Sequence, residues 1–189
     1  EEFIKSAIPW LSFGKLKASY GTSGNDQIGD YQYLDTYSFG SNQYQNTTGL
    51  LPTRLFNPDY SWESNKKLEF SMEIGVLDDT IFISGNYYRH RSSNQLVGIP
   101  LPSTTGFSSI NANLNATVEN TGWEFSINTI NIKTHNFKWS TSFNLTIPKN
   151  RLIGFPDLEG STYANQLVIG EPLNIIKTYQ LNGVDSETG

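Results

Sequence analysis

The segment from Phe137 to Ile147, FKWSTSFNLTI, decides the fold class. Its apolar side chains, together with Thr141, fall on every second residue, and lysine, serine, asparagine and threonine occupy the positions between them. Because successive side chains of a β-strand point to opposite faces, this alternation predicts a strand with one apolar and one polar face. An amphipathic helix would instead need apolar residues three and four positions apart.

The same alternation recurs along the chain. It is clear in 68–76, 81–88 and 123–129, and shorter in 16–20. We therefore predict an all-β, antiparallel fold with five strands. Their approximate bounds are 15–22, 62–76, 80–92, 117–132 and 137–147.

The composition fits β structure and excludes several classes of function. Only 16% of the residues are charged, where about 25% is usual, while aromatic residues make up 13%. The net charge of −5 and the lack of long Lys/Arg runs argue against nucleic acid as a partner. Cysteine is absent, which excludes disulfides, thiol chemistry and cysteine-based zinc sites.

Short and long connections alternate between the predicted strands. Tight turns are expected at Asp78-Asp79 and at 133–136, whereas long loops are expected over about 22–61, 93–116 and 148–189. Such an arrangement places every long loop at one edge of the sheet. It is typical of outer-membrane barrels, which have short periplasmic turns and long extracellular loops.

Strand length agrees with a membrane barrel. The segment 137–147, at about 3.3 Å per residue, extends about 36 Å, and a tilt of about 45° reduces this to roughly 25 Å, the height of the apolar band of such barrels. The polar face carries mostly uncharged side chains, which suits a wet lumen. The alternative is a soluble β-sandwich in which the aromatic residues fill the core.

A series of short motifs, in a fixed order, resembles the C-terminal part of SusC/RagA-like TonB-dependent outer-membrane transporters. These motifs are LKASYGTSGN (16–25) with IGDY (28–31), NPDYSWE (57–63), IGVLDDT (74–80) with NYY (86–88), LPSTTGF (101–107), VENTGWE (118–124), FKW (137–139) with FN (143–144), and IGEP (169–172) with GVD (183–185). Pro148 and the sequence Thr178-Tyr179-Gln180 depart from the family pattern. The resemblance implies that the sequence is a fragment of a longer chain, and that the plug domain, the TonB-contacting segment and the remaining strands lie outside it.

The resemblance also implies a function. It implies that the chain forms barrel wall and loops of an active transporter. This transporter lies in the bacterial outer membrane, surrounded by lipid, and imports glycans or peptides. The implied partners are a SusD-like surface lipoprotein, which captures the oligosaccharide or peptide, and the TonB complex. The competing functions from other classes are a secreted carbohydrate-binding β-sandwich and a β-rich glycosidase, which needs two closely spaced carboxylates.

The residues themselves indicate no catalytic centre. The two histidines, His90 and His135, lack metal-ligand spacing, and no nucleophile motif or phosphate-binding loop occurs, so we expect no enzyme activity, no metal and no cofactor. Aromatic residues in the loops can stack on sugar rings or simply anchor the loops. They are Tyr31, Tyr33, Tyr37, Tyr44 and Trp62. Among them we select Tyr31, Tyr33 and Trp62 as candidate contacts for substrate or lipoprotein.

Overall fold

A computed structural model describes residues 8–25, 29–180 and Gly183. The regular structure of this part is β-sheet with two short 3₁₀ turns, Ser103–Thr105 and Leu158–Gly160. The strands are β1 (Leu11–Asn25), β2 (Thr36–Tyr44), β3 (Thr47–Arg54), β4 (Glu63–Val76), β5 (Ile81–Pro100), β6 (Ser109–Lys133) and β7 (Lys138–Gly154). Among the described residues, no helix has the length and apolar character needed to span a membrane.

Five strands form one antiparallel sheet in the order β1-β4-β5-β6-β7, and β2 and β3 form a separate two-stranded sheet. The all-β antiparallel fold and the five strands of the sheet are as predicted from the alternation. Each strand of the sheet pairs with the next one along the chain once the β2–β3 hairpin is set aside. This is the connectivity of an up-and-down barrel wall.

The predicted loop over 93–116 is wrong, because most of it is strand. β5 and β6 continue to pair as far as Pro100 and Ser109, so only 101–108 connects them. The serine, asparagine and glutamine content of this stretch resembles a loop, but an antiparallel partner satisfies the backbone of almost any sequence. A bulge after Ser93, where Asn94 has φ +60°, marks the point at which the strands pass from the sheet into this extension.

The other two predicted loops also contain strand. The region 22–61 includes the β2–β3 hairpin, and β7 continues to Gly154 where a loop was expected from 148. The β2–β3 hairpin escaped prediction because its alternation is broken by a register shift between Phe39 and Gln43. The turn Gln45-Asn46, with φ of +48° and +61°, carries the local signal for this hairpin.

The pairing register divides the side chains of the five-stranded sheet into two faces. On one, which we call the outer face, apolar residues line up across the strands. Its central rows are Phe70–Tyr87–Trp123–Ile147, Met72–Gly85–Phe125–Leu145 and Ile74–Ile83–Ile127–Phe143. The register therefore agrees with the alternation predicted for 137–147.

The opposite face, which we call the inner face, is polar. Its rows include Glu73–Ser84–Ser126–Asn144 and Ser71–Asn86–Glu124–Thr146. Hydrogen bonds run across it between the Ser84 and Ser126 hydroxyls (2.7 Å) and from Asn86 Nδ2 to Glu124 Oε2 (3.1 Å). Lys17 also forms an ion pair with Glu73 there. The polar side chains of the inner face thus pair with one another across neighbouring strands.

The described residues contain very little buried core. Among them, only Ala116, Val118, Leu152 and Phe155 are buried apolar residues, and they lie where β6 pairs with the last residues of β7, or next to that pairing. Large apolar side chains of the outer face stay exposed, among them Phe143 at 55%. A soluble sandwich would cover this face with a second sheet, but the β2–β3 sheet of the described residues leaves these side chains exposed.

The close contact between Tyr88 and Gly122 on the inner face can be tested. Tyr88 pairs with Gly122, and its ring lies over the glycine: a Cβ built at Gly122 would stand 2.6 Å from Tyr88 Cζ. In the full-length protein, Gly122→Ala should lower the stability of the folded barrel by about 1–3 kcal/mol, because the ring must move. Heat resistance in detergent measures this, with Gly21→Ala as the control, since nothing lies within 4 Å of a Cβ at Gly21.

A double-mutant cycle separates this clash from a general effect of the alanine. If the ring is the obstacle, Gly122→Ala should cost little in a Tyr88→Ala background. Equal and small effects of Gly122→Ala and Gly21→Ala in the wild-type background would contradict the packing described here.

Candidate functional site at the long-loop end

The long connections all leave the sheet at one end. Asn25 pairs with Glu63 there, and Thr117 pairs with Gly154, so the chain segments after β1, β5 and β7 emerge together. The opposite end has two tight turns. One spans 77–80, where three residues have positive φ and Thr80 N donates to Leu77 O (3.1 Å), and the other spans 134–137. The sheet therefore has a short-turn end and a long-loop end, and the candidate site lies at the latter.

Asn57 fixes the first long connection to the extended hairpin. It is buried, and its Nδ2 donates to the Asn111 carbonyl of β6 (3.0 Å). Its backbone N–H donates to the Tyr33 carbonyl (2.9 Å), and its Oδ1 accepts from the Asp59 N–H (3.2 Å). Through its backbone and its side chain, Asn57 thereby links the Tyr33 segment, the approach to β4 and β6.

Asn113 and Asn94 form a second link between the first long connection and the β5–β6 hairpin. Asn113 Nδ2 donates to the carbonyls of Ser61 (2.7 Å) and Asn94 (2.9 Å), and its Oδ1 accepts from the Ser61 N–H (2.9 Å). Asn94 Nδ2 donates to the Trp62 carbonyl (2.9 Å). Together with Asn57, these asparagines hold the long connection in one conformation on the β5–β6 hairpin.

The β2–β3 hairpin presents apolar side chains to solvent. Phe39 is 80% exposed, and Tyr37, Leu50 and Leu51 are exposed as well. The hydrogen bond with Asp35, and the charge of that carboxylate, raise the pKa of Tyr37. An exposed apolar hairpin on ordered loops has the character of a protein contact surface.

The structure gives the candidate aromatic residues two different settings. Tyr31, with φ +56°, and Tyr33 lie in the connection before β2, and both are exposed; the Tyr31 carbonyl accepts from Arg54 Nη1 (3.4 Å). Trp62 precedes β4, and its ring lies against Gly24, which has the parity of the outer face. The Tyr44 side chain lies outside the described residues.

The segment that follows β7, residues 155–171, folds back over the long-loop end of the inner face. We call it the return segment. Leu152 pairs with Val118 on that face, and their small core includes Phe155, whose ring centroid lies 6.0 Å from that of Tyr163. Backbone bonds anchor the return: Leu152 N–H donates to the Glu171 carbonyl (2.9 Å) and Gly170 N–H to the Leu152 carbonyl (2.7 Å).

An open cleft of about 450 Å³ lies between this segment and the β5–β6 extension. Its walls include Ile99, Leu114, Phe155 and Tyr163, with Asn113 and Asn115 among the polar groups. A mainly apolar cleft with a few polar side chains is the usual form of a ligand site. The sequence did not indicate this cleft, because it forms only when the return segment packs on the extension.

A family model described as "TonB dependent receptor-like, beta-barrel" matches residues 6–186. The chain belongs to this family. Two curated relatives from Formosa agariphila, TonB-dependent receptors P39 and P26, are 33% and 36% identical to it over 97% and 84% of its length. TonB-dependent receptor SusC of Bacteroides thetaiotaomicron is 28% identical over 86% of the chain.

Solved structures of the RagAB peptide importer carry the same arrangement. In the "closed-closed" state, one chain of RagAB superposes on 89% of this chain with a TM-score of 0.75 and 25% identity. The predicted relationship to SusC/RagA-like TonB-dependent transporters is therefore confirmed. The chain spans 18% and 16% of the length of the two Formosa receptors, and 19% of the RagAB chain.

Proposed function

We propose that this TonB-dependent receptor barrel segment is part of the wall and extracellular loops of an outer-membrane transporter. The observation that carries the proposal is the continuous apolar outer face opposite a polar inner face. In a barrel, lipid covers the first and the aqueous lumen meets the second. The long-loop end then faces the cell exterior and the short turns face the periplasm.

The cargo in this proposal is an oligosaccharide or a peptide, taken up with energy delivered through TonB. Relatedness to a protein described as a peptide importer supports the peptide, and the family resemblance of the sequence motifs implies the oligosaccharide as the alternative. Tyr31 and Tyr33 are exposed and held by the Arg54 and Asn57 bonds, so they are suited to stack on sugar rings or pack on a peptide. The proposal includes no catalytic step.

The partner in this proposal is a SusD-like surface lipoprotein. The exposed hairpin with Phe39, Leu50 and Leu51 is the surface we assign to it, since burial on a partner would remove these side chains from water. Trp62 lies against Gly24 on the outer-face side of the long-loop end. In this proposal it contacts the lipoprotein rather than the substrate.

Trypsin added to intact cells tests the orientation. Arg54 and Lys177 lie in the long-loop end, whereas Lys133 and Lys138 flank a short turn. Cleavage is expected after Arg54 or Lys177 in intact cells, and after Lys133 or Lys138 only once the outer membrane is breached. Arg89 and Arg91 lie inside β5 and should resist trypsin.

Mass spectrometry of the released peptides gives the readout. Because a bound lipoprotein can shield the long loops, cells lacking that partner serve as the comparison. Cleavage at Lys133 in intact cells would show that the short turns face the cell exterior, and it would refute the proposed orientation.

A further inference from the structure

The outer face changes character abruptly at the long-loop side of its apolar band. The row Phe70–Tyr87–Trp123–Ile147 is followed by two rows that contain most of the charge on this face. They are Tyr20–Leu68–Arg89–Thr121–Lys149 and Thr22–Lys66–Arg91–Glu119–Arg151. Five cations thus meet a single carboxylate, in a chain whose net charge is −5. We call these five cations, Lys66, Arg89, Arg91, Lys149 and Arg151, the basic rows.

Glu119 organises two of these cations. Its Oε2 accepts from Arg89 Nε (2.6 Å) and from Arg91 Nε (2.7 Å). The Glu119 side chain is only 14% exposed, whereas those of Arg89 and Arg91 are 39% and 42% exposed. Both bonds use Nε, so the Nη nitrogens of each guanidinium remain to donate to another acceptor. One carboxylate therefore orients two guanidinium groups without neutralising the rows.

The basic rows surround a small cleft. It has a volume of about 110 Å³ and is lined by Tyr20, Lys66, Leu68, Arg89 and Arg91. Three cations together with a tyrosine and a leucine make a site for a group that is anionic at one end and apolar at the other. Guanidinium forks match the oxygen geometry of phosphate, and a lysine adds a point charge.

The depth of the cleft identifies the source of that group. The rows of one face are about 7 Å apart along the strands, so the basic rows lie one and two steps beyond Tyr87 and Trp123. Those two rings pack at a centroid distance of 4.9 Å and mark the edge of the apolar band, where amphipathic aromatics meet the headgroups. The cations accordingly lie at headgroup depth.

We propose that the basic rows bind the phosphate groups of an anionic lipid in the outer leaflet. The inference rests on the proposed membrane wall and on its orientation. The lipid phosphates occupy the cleft between Lys66, Arg89 and Arg91, while the acyl chains lie on the apolar rows below. Lys149 and Arg151 extend the site across β7. Such a lipid fixes the depth of the wall in the membrane, as headgroup-binding basic pockets do in other membrane proteins.

Native mass spectrometry of the full-length protein in neutral detergent tests the proposal, with lipid A, a diphosphorylated glycolipid, as the probe. The double variant Arg89→Gln/Arg91→Gln should weaken binding of lipid A by roughly ten-fold or more, since charge-assisted bonds to phosphate are lost. The control Lys133→Gln/Lys138→Gln removes the same charge at the short-turn end and should bind as the wild type does. Equal binding by all three proteins, or none by the wild type, would overturn the proposal.

Two further binding measurements identify the ligand as a phosphorylated lipid. Dephosphorylated lipid A should bind the wild type no better than it binds the double variant, and excess inorganic phosphate should not displace the lipid. Displacement by inorganic phosphate would overturn the lipid as the source. If the double variant fails to fold, Lys66→Gln/Lys149→Gln replaces it, because neither lysine takes part in the Glu119 ion pairs. If trypsin confirms the orientation of the wall but the protein binds no lipid A, the lipid site is refuted and the proposed function is not.

Discussion

Replacing Phe143 with lysine in the full-length protein should sharply reduce the yield of folded, heat-resistant barrel. Phe143 lies in the outer row with Ile74, Ile83 and Ile127, near the middle of the apolar band, and it is 55% exposed in the isolated sheet. In a membrane, the ammonium group would lie in hydrocarbon, at a cost of roughly 2–4 kcal/mol. Outer-membrane yield and gel mobility before and after heating measure the effect.

The neighbouring residue provides the matched control. Ser142 belongs to the inner row with Asn128, so Ser142→Lys puts the same charge on the same strand but toward the lumen. That variant should fold with nearly wild-type yield, because a lumen substitution alters selectivity more than stability. Equal damage from the two lysines would contradict the assignment of the faces.

A second control separates lipid from a packed protein interior. Phe143→Leu and Trp139→Leu remove aromatic volume but keep the surface apolar. Lipid chains adapt to either shape, so the heat resistance should stay close to that of the wild type. In a close-packed core the same losses of volume would cost roughly 1 kcal/mol or more.

The sheet could be predicted from sequence because each of its strands carries its own two-fold pattern. Phe137–Ile147 is a strong example, since its outer residues must all face one apolar environment. The extension of β5 and β6 beyond Ser93 could not be predicted in this way. The positions of polar and apolar residues there depend on contacts with other segments of the chain. The register in the final structure, and not the local pattern, determines those contacts.

The functional end was harder to predict for the same reason. Asn113 donates hydrogen bonds to Ser61 and Asn94, which lie 52 and 19 residues away along the chain. The sequence around Asn113 contains no pattern that predicts these contacts. The basic rows combine residues from three strands that are unremarkable when taken one at a time. By contrast, the exposure of Tyr31 and Tyr33 was expected from their place in a long loop.

The 189-residue chain expressed alone should not behave as a stable, soluble monomer. Its described sheet has free edges at β1 and β7, apart from the bonds between Leu152 and the return segment. Unpaired strand edges recruit other chains, and the exposed outer face adds an apolar surface for them to join. We expect aggregation in plain buffer and dispersed chains with β structure only in the presence of detergent, as measured by sedimentation and circular dichroism.

The physical reason is the size of the core. The apolar side chains buried among the described residues are Ala116, Val118, Leu152 and Phe155, and a sheet of this length cannot be held in water by four such residues, given that ordering each residue costs about 1–2 kcal/mol. Detergent supplies the missing apolar contact to the outer face, but it cannot pair the edges, so even the solubilised chain should melt without cooperativity. A monodisperse monomer with a sharp thermal transition in plain buffer would show that the outer face is covered by protein. That result would contradict the membrane wall, and with it the lipid site on the basic rows.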